Sequence, residues 1–179
     1  SVSEYRLQRR GGKGRLGMGT KDEDFVEQLF VASTHDYLLF FTNKGQVFRK
    51  KVFELPQAGP TGRGKAAINL LPLREGETIC SCLNVPKEAE NKYIFLCTER
   101  GVAKKTPMPD CAKIRVTGLR VITIDEGDSV ISVQLTDGDQ ELFFATRDGM
   151  GLRVNESTLR PMGRQARGVR GVRLREGDR

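Results

Sequence analysis

The chain of 179 residues carries 30 Lys and Arg against 23 Asp and Glu, so its formal net charge is +7 and its isoelectric point is near 9.4. It has no apolar run near the ~18 residues of a membrane span, no apolar signal segment and no evident basic amphipathic helix, so we expect no membrane partner. The positive balance instead favours a polyanion, nucleic acid above all.

The first predicted element is a basic, glycine-rich loop. Three cations and three glycines stand within seven residues, which are Gln8, Arg9, Arg10, Gly11, Gly12, Lys13 and Gly14, with Arg15 directly after. Arginine and lysine provide charge for phosphates, and glycine lets the backbone approach a polyanion closely. Because the glycines also disfavour a helix or a core strand, the segment predicts an exposed loop that binds phosphates.

Three hairpins are predicted further along the chain, at residues 37–50, 93–105 and 142–153. Each consists of an apolar strand, the pattern T-x-x-G and a second strand that ends in cations. The glycine supplies the positive φ that a tight hairpin needs.

Two further landmarks repeat with a spacing of about 50 residues. An acidic glycine turn occurs at residues 74–77, 125–128 and 175–178. Strands are predicted after the first two copies, at 79–85 and 130–135, and after a degenerate copy at 22–24, over 25–32. A basic glycine turn occurs at 62–65, 117–120 and 167–171, and a strand is predicted after each. The loop at 8–14 falls at the place in its unit that 62–65 occupies in the next.

About four short strands per ~50 residues and no helix predict an all-β fold of stacked, propeller-type blades. Since the chain begins and stops inside a unit, we expect an arc of about three blades of one domain, residues 1–179. The predicted units are 1–20 with the basic loop, 21–73, 74–124, 125–174 and the start of the next at 175–179.

The remaining cations cluster at the ends of the hairpins and at the basic turns, while the acids gather at the acidic turns. We expect the cations to form one curved basic rim that binds duplex DNA without reading sequence. Few aromatic residues accompany them, which argues against a platform for single strands. The candidate rim residues are Arg49, Lys50, Lys51, Arg63, Lys65, Lys104, Lys105, Arg115, Arg120, Arg153, Arg164, Arg167, Arg170 and Arg173. The alternative is a propeller-type module whose rim binds acidic protein surfaces.

Enzymatic and metal sites are not predicted. The stretches 12–17 and 59–66 approximate nucleotide-binding patterns, but neither lies between a strand and a helix as those sites require. The four cysteines form no C-x-x-C pair, and with a single histidine no zinc site or catalytic triad can be argued. We expect reduced, half-buried thiols, no catalytic residue, no metal and no cofactor in this chain.

Residues 8–14, Q-R-R-G-G-K-G, are identical to the GyrA-box, the hallmark of the C-terminal DNA-wrapping domain of the DNA gyrase A protein in the type IIA topoisomerase family. The stretches 41–45, 69–73 and 168–174 resemble that family as well. The resemblance implies a β-pinwheel whose basic perimeter wraps duplex DNA, with the box closing the wrap.

The resemblance also implies a cytoplasmic, nucleoid-associated bacterial protein that is a non-catalytic part of an enzyme. Negative supercoiling would be driven by ATP hydrolysis, with Mg²⁺, in the gyrase B protein, the partner of the parent gyrase A protein in a heterotetramer. A C-terminal domain of the topoisomerase IV type, which bends DNA without a full wrap, is the second member of the family that the sequence leaves open.

Overall fold

The structure is a computed structural model that describes residues 10–12, 25–26, 28–59, 62, 64–86 and 89–179. In this part of the chain there is no α-helix, and none of its elements is a helix long and apolar enough to cross a membrane. The strands are β1 Tyr37–Thr42, β2 Gln46–Lys51, β3 Ile79–Val85, β4 Tyr93–Thr98, β5 Val102–Pro107, β6 Leu119–Arg120, β7 Val130–Thr136, β8 Glu141–Ala145, β9 Gly151–Asn155 and β10 Val169–Arg170. Short 3₁₀ turns lie at Val52–Glu54, Ala67–Asn69, Ala89–Asn91, Met108–Cys111 and Glu156–Thr158.

The four-stranded sheets combine one hairpin with strands from further along the chain. The first sheet has the order β3-β1-β2-β6, the second has the order β10-β5-β4-β7, and β8 pairs with β9 alone among the described strands. Strand β6 follows the second hairpin in sequence but pairs with β2 of the first, and β10 follows the third hairpin but pairs with β5 of the second. Each of these two blades therefore receives a strand from the repeat that follows it, as in a propeller-like β-pinwheel.

The predicted hairpin turns form as the T-x-x-G pattern indicates. Gly45, Gly101 and Gly149 all have positive φ, with values of 73°, 77° and 82°. At Gly45 a side chain is also excluded by space, since a Cβ atom there would lie 2.6 Å from the Cγ2 atom of Ile122. The turn glycine thus sets the hairpin and also lets the chain that follows β6 pack against it.

The hydrophobic core lies between the first two sheets. Leu39 and Phe41 of β1 pack in one buried cluster with Ile94 and Leu96 of β4, and Val121 from the segment after β6 joins them. Burial of each such side chain contributes about 1.5–3 kcal/mol. The two sheets therefore stabilise each other as neighbouring blades.

The inner and outer edges of the blades can be distinguished by their contacts. Strands β3 and β7 lie against each other, and the Ser81 hydroxyl donates a hydrogen bond of 3.2 Å to the Val133 carbonyl. Strands β6 and β10 form the opposite edges of their sheets. The basic turns that contain β6 and β10 therefore lie on the outer side.

A buried carboxylate joins the first hairpin turn to the acidic turn of the following repeat. The Thr42 hydroxyl donates to Glu77 Oε1 at 2.7 Å, and the amide of Arg74 donates to Glu77 Oε2 at 3.0 Å. The amide of Gln46 in turn donates to Thr42 Oγ1 at 3.2 Å. We call this contact the threonine–carboxylate clip.

An aspartate takes the place of Glu77 in the other two hairpins, and the threonine hydroxyl contacts it in the third. In the second, the amides of Arg100 and Ser129 both donate to Asp128 Oδ1. In the third, the hydroxyl of Thr146, together with the amides of Asp148 and Arg179, holds the pKa of Asp178 below its usual range. Hydrogen bonds of this kind favour the charged carboxylate. The two landmarks that repeat in the sequence therefore meet in space.

The outcome for the predicted strands depends on whether a partner strand is present. Strands at 79–85 and 130–135 are confirmed as β3 and β7. The strand at 25–32 is wrong for the described residues there, and after residues 62–65 the chain forms a 3₁₀ turn instead of a strand. Each of the strands β3, β6, β7 and β10 pairs with a hairpin earlier in the sequence. By the same rule, the segments at 25–32 and after 62–65 would pair with a hairpin before β1, and no such hairpin is among the described residues.

The clip predicts a stability loss when its hydroxyl is removed. Replacing Thr42 by Val leaves the buried Glu77 carboxylate with one donor fewer, so the free energy of unfolding should fall by about 1–3 kcal/mol in urea denaturation. The matched control is Thr78→Val, since Thr78 is exposed and bonds through its backbone. Equal losses in the two variants would show that the clip has no stabilising role.

Candidate nucleic-acid interface

Exposed cations from both blades line an open groove between the first two sheets. One hollow of about 760 Å³ is lined by Arg49, Lys113, Arg115, Arg120 and Arg164. The residues that line this hollow all belong to the described part of the chain, and none of them is acidic. A second hollow of about 350 Å³ shares Arg49 and Arg115 and adds Lys50 and Lys51, with Glu54 as its acid. We call the two together the interblade groove.

The pairing of β6 with β2 of the preceding repeat brings these cations together. Arg49 lies on β2, whereas Lys113 and Arg115 lie between β5 and β6, and Arg120 is on β6 opposite Gln46. The Arg115 carbonyl accepts a hydrogen bond from the amide of Gly118, which closes the turn. A Cβ atom at Gly118, whose φ is 84°, would lie 2.7 Å from the ring of Phe48, so the close approach of this turn to β2 requires glycine.

The cation four residues after each of the first two turn glycines is held by an aromatic ring and a backbone carbonyl. The Arg49 guanidinium stacks on the Tyr37 ring at 4.8 Å and donates to the Ala112 carbonyl at 2.7 Å. Its equivalent Lys105 lies 5.2 Å from the Tyr93 ring and donates to the Glu156 carbonyl at 2.7 Å. Such stacking on an aromatic ring is worth about 0.5–2 kcal/mol. This cation therefore joins consecutive repeats, a role that the sequence alone did not indicate.

The third hairpin replaces the tyrosine by an acid. Glu141 stands where Tyr37 and Tyr93 stand in the other hairpins, and its carboxylate lies 3.5 Å from the Arg153 guanidinium. Both side chains are more than half exposed, so this ion pair contributes little to stability.

Two lysines assigned to the basic rim by sequence are not on the surface. The exposed fraction is 0% for Lys104 and 3% for Lys105, and backbone carbonyls accept hydrogen bonds from both ammonium groups. A cation enclosed in this way cannot reach a phosphate on an outer surface. The assignment of Lys104 and Lys105 to direct DNA contact is therefore wrong for this structure.

The other predicted site residues divide into three groups. Lys65, Arg170 and Arg173 are exposed but do not line the interblade groove. Arg167 is exposed and forms an ion pair of 2.7 Å with Asp125, so part of its charge is already matched. The following residues lie outside the described part of the chain: Gln8, Arg9, Lys13, Gly14, Arg15 and Arg63.

The described residues of the basic loop are Arg10, Gly11 and Gly12. All three are exposed, and Gly11 has a φ of 83°. Lys113, by contrast, is a groove residue that was not predicted from the sequence. Its charge is visible two residues before Arg115, but it precedes the basic turn whose repetition pointed to the rim.

The acids lie mainly beside the hairpin turns, and Arg120 is the groove cation that also borders them. Glu75, Glu77, Asp125, Glu126 and Asp128 line one hollow of about 450 Å³ beside the turns of the hairpins. The cations of β2 lie toward the other end of that strand, at Arg49 to Lys51. Acids therefore predominate beside the hairpin turns, where Lys44, Arg74 and Arg120 accompany them, and cations predominate toward the other end of β2.

The cysteines are free thiols, and Cys111 is buried while the other three are half-buried. Burial raises the pKa of each of the four thiols to about 11, so little thiolate forms near neutral pH. Among the described residues no group of three or more His, Cys, Asp or Glu is arranged to hold a metal ion.

Comparison with known proteins gives consistent results. A family model described as DNA gyrase C-terminal domain, beta-propeller, matches residues 1–33, 36–86, 92–137 and 140–179. The DNA gyrase A protein of Halalkalibacterium halodurans is 44% identical over 171 residues, which cover 96% of this chain and 20% of the relative. The chain spans about a fifth of the length of the curated relatives it matches.

Two solved structures share the fold. The C-terminal domain of DNA topoisomerase IV superposes with a TM-score of 0.74 and 36% identity, over 81% of this chain and 45% of that chain. The DNA gyrase A C-terminal domain superposes with a TM-score of 0.68 and 23% identity, over 99% of this chain and 57% of that chain.

The buried ammonium of Lys104 predicts a pH-dependent stability. Burial lowers its pKa from 10.5 to about 8, against the opposing effects of Cys111 and Asp110. Between these values the unfolded chain holds a proton that the folded protein has released, so this group makes the folded protein more stable as pH rises.

The measurement is urea denaturation of the wild type and of Lys104→Met from pH 7 to pH 10. The free energy of unfolding of the wild type should rise by ~2 kcal/mol relative to the variant. The thiols, whose raised pKa values act in the opposite direction, are present in both proteins and largely cancel. A difference that stays constant with pH would contradict the burial of a charged Lys104.

Proposed function

Because the chain belongs to the family of DNA gyrase C-terminal β-propeller domains, we propose that it binds, bends and wraps duplex DNA without reading its sequence. The observation that carries the proposal is the interblade groove, where cations from two blades line one open hollow. Phosphate contacts of this kind provide affinity and position the duplex but carry no sequence information.

The arrangement of charge supports a bent path for the DNA. The groove cations come from β2, from β6 and the segment before it, and from the segment before β10, on the outer side of the sheets. Most of the acids lie beside the hairpin turns. A duplex that follows successive outer edges of a propeller-like arc has to curve with it, and its bending energy is offset by the phosphate contacts.

The basic loop at residues 8–14 would act as a further clamp at one end of this path. Its support is the identity of all seven residues with the box, together with the exposure of Arg10, Gly11 and Gly12. Arg9, Arg10 and Lys13 would bind phosphates, and the glycines would let the backbone approach the duplex.

In the whole protein this domain would serve an activity located elsewhere. We propose that it works in the cytoplasm as a non-catalytic, cofactor-free part of a gyrase in which the gyrase B protein hydrolyses ATP with Mg²⁺. The wrapped DNA would then be passed by the catalytic parts so that negative supercoils result.

A second candidate is a domain that bends DNA without completing a wrap. It is favoured by the similarity to the topoisomerase IV C-terminal domain, at 36% identity and a TM-score of 0.74. The box residues at 8–14 favour the wrapping function instead.

The proposal predicts a steep salt dependence of DNA binding. If the five cations of the larger hollow each neutralise one phosphate, the logarithm of the association constant should fall against the logarithm of salt with a slope of about −4 to −5. Replacing Lys113 and Arg115 by Ala should weaken that slope by about 2. The measurement is a fluorescence titration of a short duplex at several salt concentrations.

The matched control is Lys44→Ala. Lys44 is exposed at the first hairpin turn, among the acids and outside the groove, so its removal should leave the slope unchanged. Equal effects of the groove and control variants would reduce the groove to general surface charge. A wild-type chain that binds no duplex at low salt would favour the module for acidic protein partners.

A further inference from the structure

Lys104 occupies in the second hairpin the position that Phe48 occupies in the first. Each lies three residues after its turn glycine, Gly101 or Gly45, and both are buried. Each also packs under a basic turn that belongs to the following repeat. A Cβ atom at Gly118 would lie 2.7 Å from the Phe48 ring, and one at Gly168 would lie 3.3 Å from Lys104 Cβ. One structural position is thus apolar in the first blade and cationic in the second.

The ammonium of Lys104 joins two segments that border the interblade groove. It donates to the Val121 carbonyl at 2.5 Å and to the Arg164 carbonyl at 2.7 Å. Val121 directly follows the groove residue Arg120, and Arg164 is itself a groove residue with an exposed side chain. The contacts connect residues 17 and 60 positions away from Lys104 in the sequence.

The hydrogen bonds on either side of Arg164 involve other residues, and the Arg164 carbonyl accepts from Lys104. The amide of Met162 donates to the Lys105 carbonyl at 2.8 Å, and the Thr123 hydroxyl donates to the Gln165 carbonyl at 3.0 Å. These bonds hold the loop on either side of Arg164. Between them, the ammonium of Lys104 is the group that holds the backbone of Arg164 itself against the chain beside Arg120.

An apolar residue at position 104 would satisfy the packing but neither carbonyl. A buried carbonyl without a donor is unfavourable, so the loop would move to expose it to water, and the Arg164 side chain would move with the loop. Phe48 carries no polar group, so its ring packs under the glycine turn without a hydrogen-bond partner.

We propose that Lys104 is a positioning residue for DNA binding, whose buried ammonium fixes the backbone of Arg164 so that this arginine faces the duplex together with Arg49 and Arg120. The inference rests on the proposed function of the interblade groove. It replaces a direct phosphate contact by Lys104 with an indirect effect through Arg164.

The test is a double-mutant cycle of Lys104→Phe and Arg164→Ala, with the affinity for a short duplex measured over a range of salt. Lys104→Phe should lower the affinity about tenfold and weaken the salt slope by about 1, as expected for the loss of one phosphate contact. In the Arg164→Ala background the same substitution should change the affinity less than about twofold. A purely structural role would change the affinity equally in both backgrounds.

Lys105→Met is the matched control. It removes the adjacent buried ammonium, whose partner is the Glu156 carbonyl and which points to the opposite face of β5. Thermal unfolding of each variant identifies a temperature at which all of them are folded, and the affinities are compared there. If the larger ring of Lys104→Phe prevents folding, Lys104→Met is used in its place.

Three results would overturn the inference. They are wild-type affinity in the Lys104 variant, an undiminished effect of that variant in the Arg164→Ala background, and an equal loss in Lys105→Met. A wild-type chain that does not bind duplex DNA would overturn the proposed function, and the inference with it. Binding with a steep salt slope that Lys104→Phe leaves unchanged would overturn the inference alone.

Discussion

A two-stranded hairpin cannot cover both of its edges and both of its faces, and this constraint organises the first two blades. The first hairpin, β1-β2, gains β3 on one edge and β6 on the other, and both strands come from further along the chain. The second hairpin is completed in the same way by β7 and β10. Each sheet is thereby tied to later sequence by backbone hydrogen bonds. The carboxylates of Glu77 and Asp128 connect the same repeats a second time, the first through the Thr42 hydroxyl and the second through the Arg100 amide.

The pairing of β6 and β10 with the hairpin of the preceding repeat also creates the interblade groove. To reach β2, the chain has to leave β5 and cross to the first sheet, and residues 112–118 of this crossing carry Lys113 and Arg115. The equivalent crossing from β9 to β10 brings Arg164 to the same place. The groove is therefore a consequence of the topology, and cations that are far apart in sequence line it because both crossings have to pass over the outer side.

Sequence patterns predicted the features that depend on local conformation. The hairpin turns follow from glycines with positive φ, and β3 and β7 follow from apolar runs behind the acidic turns. Features that depend on distant partners were not predictable in this way. The burial of Lys104 depends on carbonyls 17 and 60 residues away, and the failed strand at 25–32 had suitable residues without a partner strand among the described residues. Charge counting found the basic character of the site but not which cations face outward.

The most direct test of the central claim, that the outer edges of the blades bend a duplex around them, is the closure of nicked circular DNA by ligase in the presence of this chain. We expect a shift in the linking number of the closed circles that has one sign and grows with the amount of bound protein. Saturating binding with an unchanged linking number would contradict the claim, because the cations of the groove would then hold DNA without imposing a curved path.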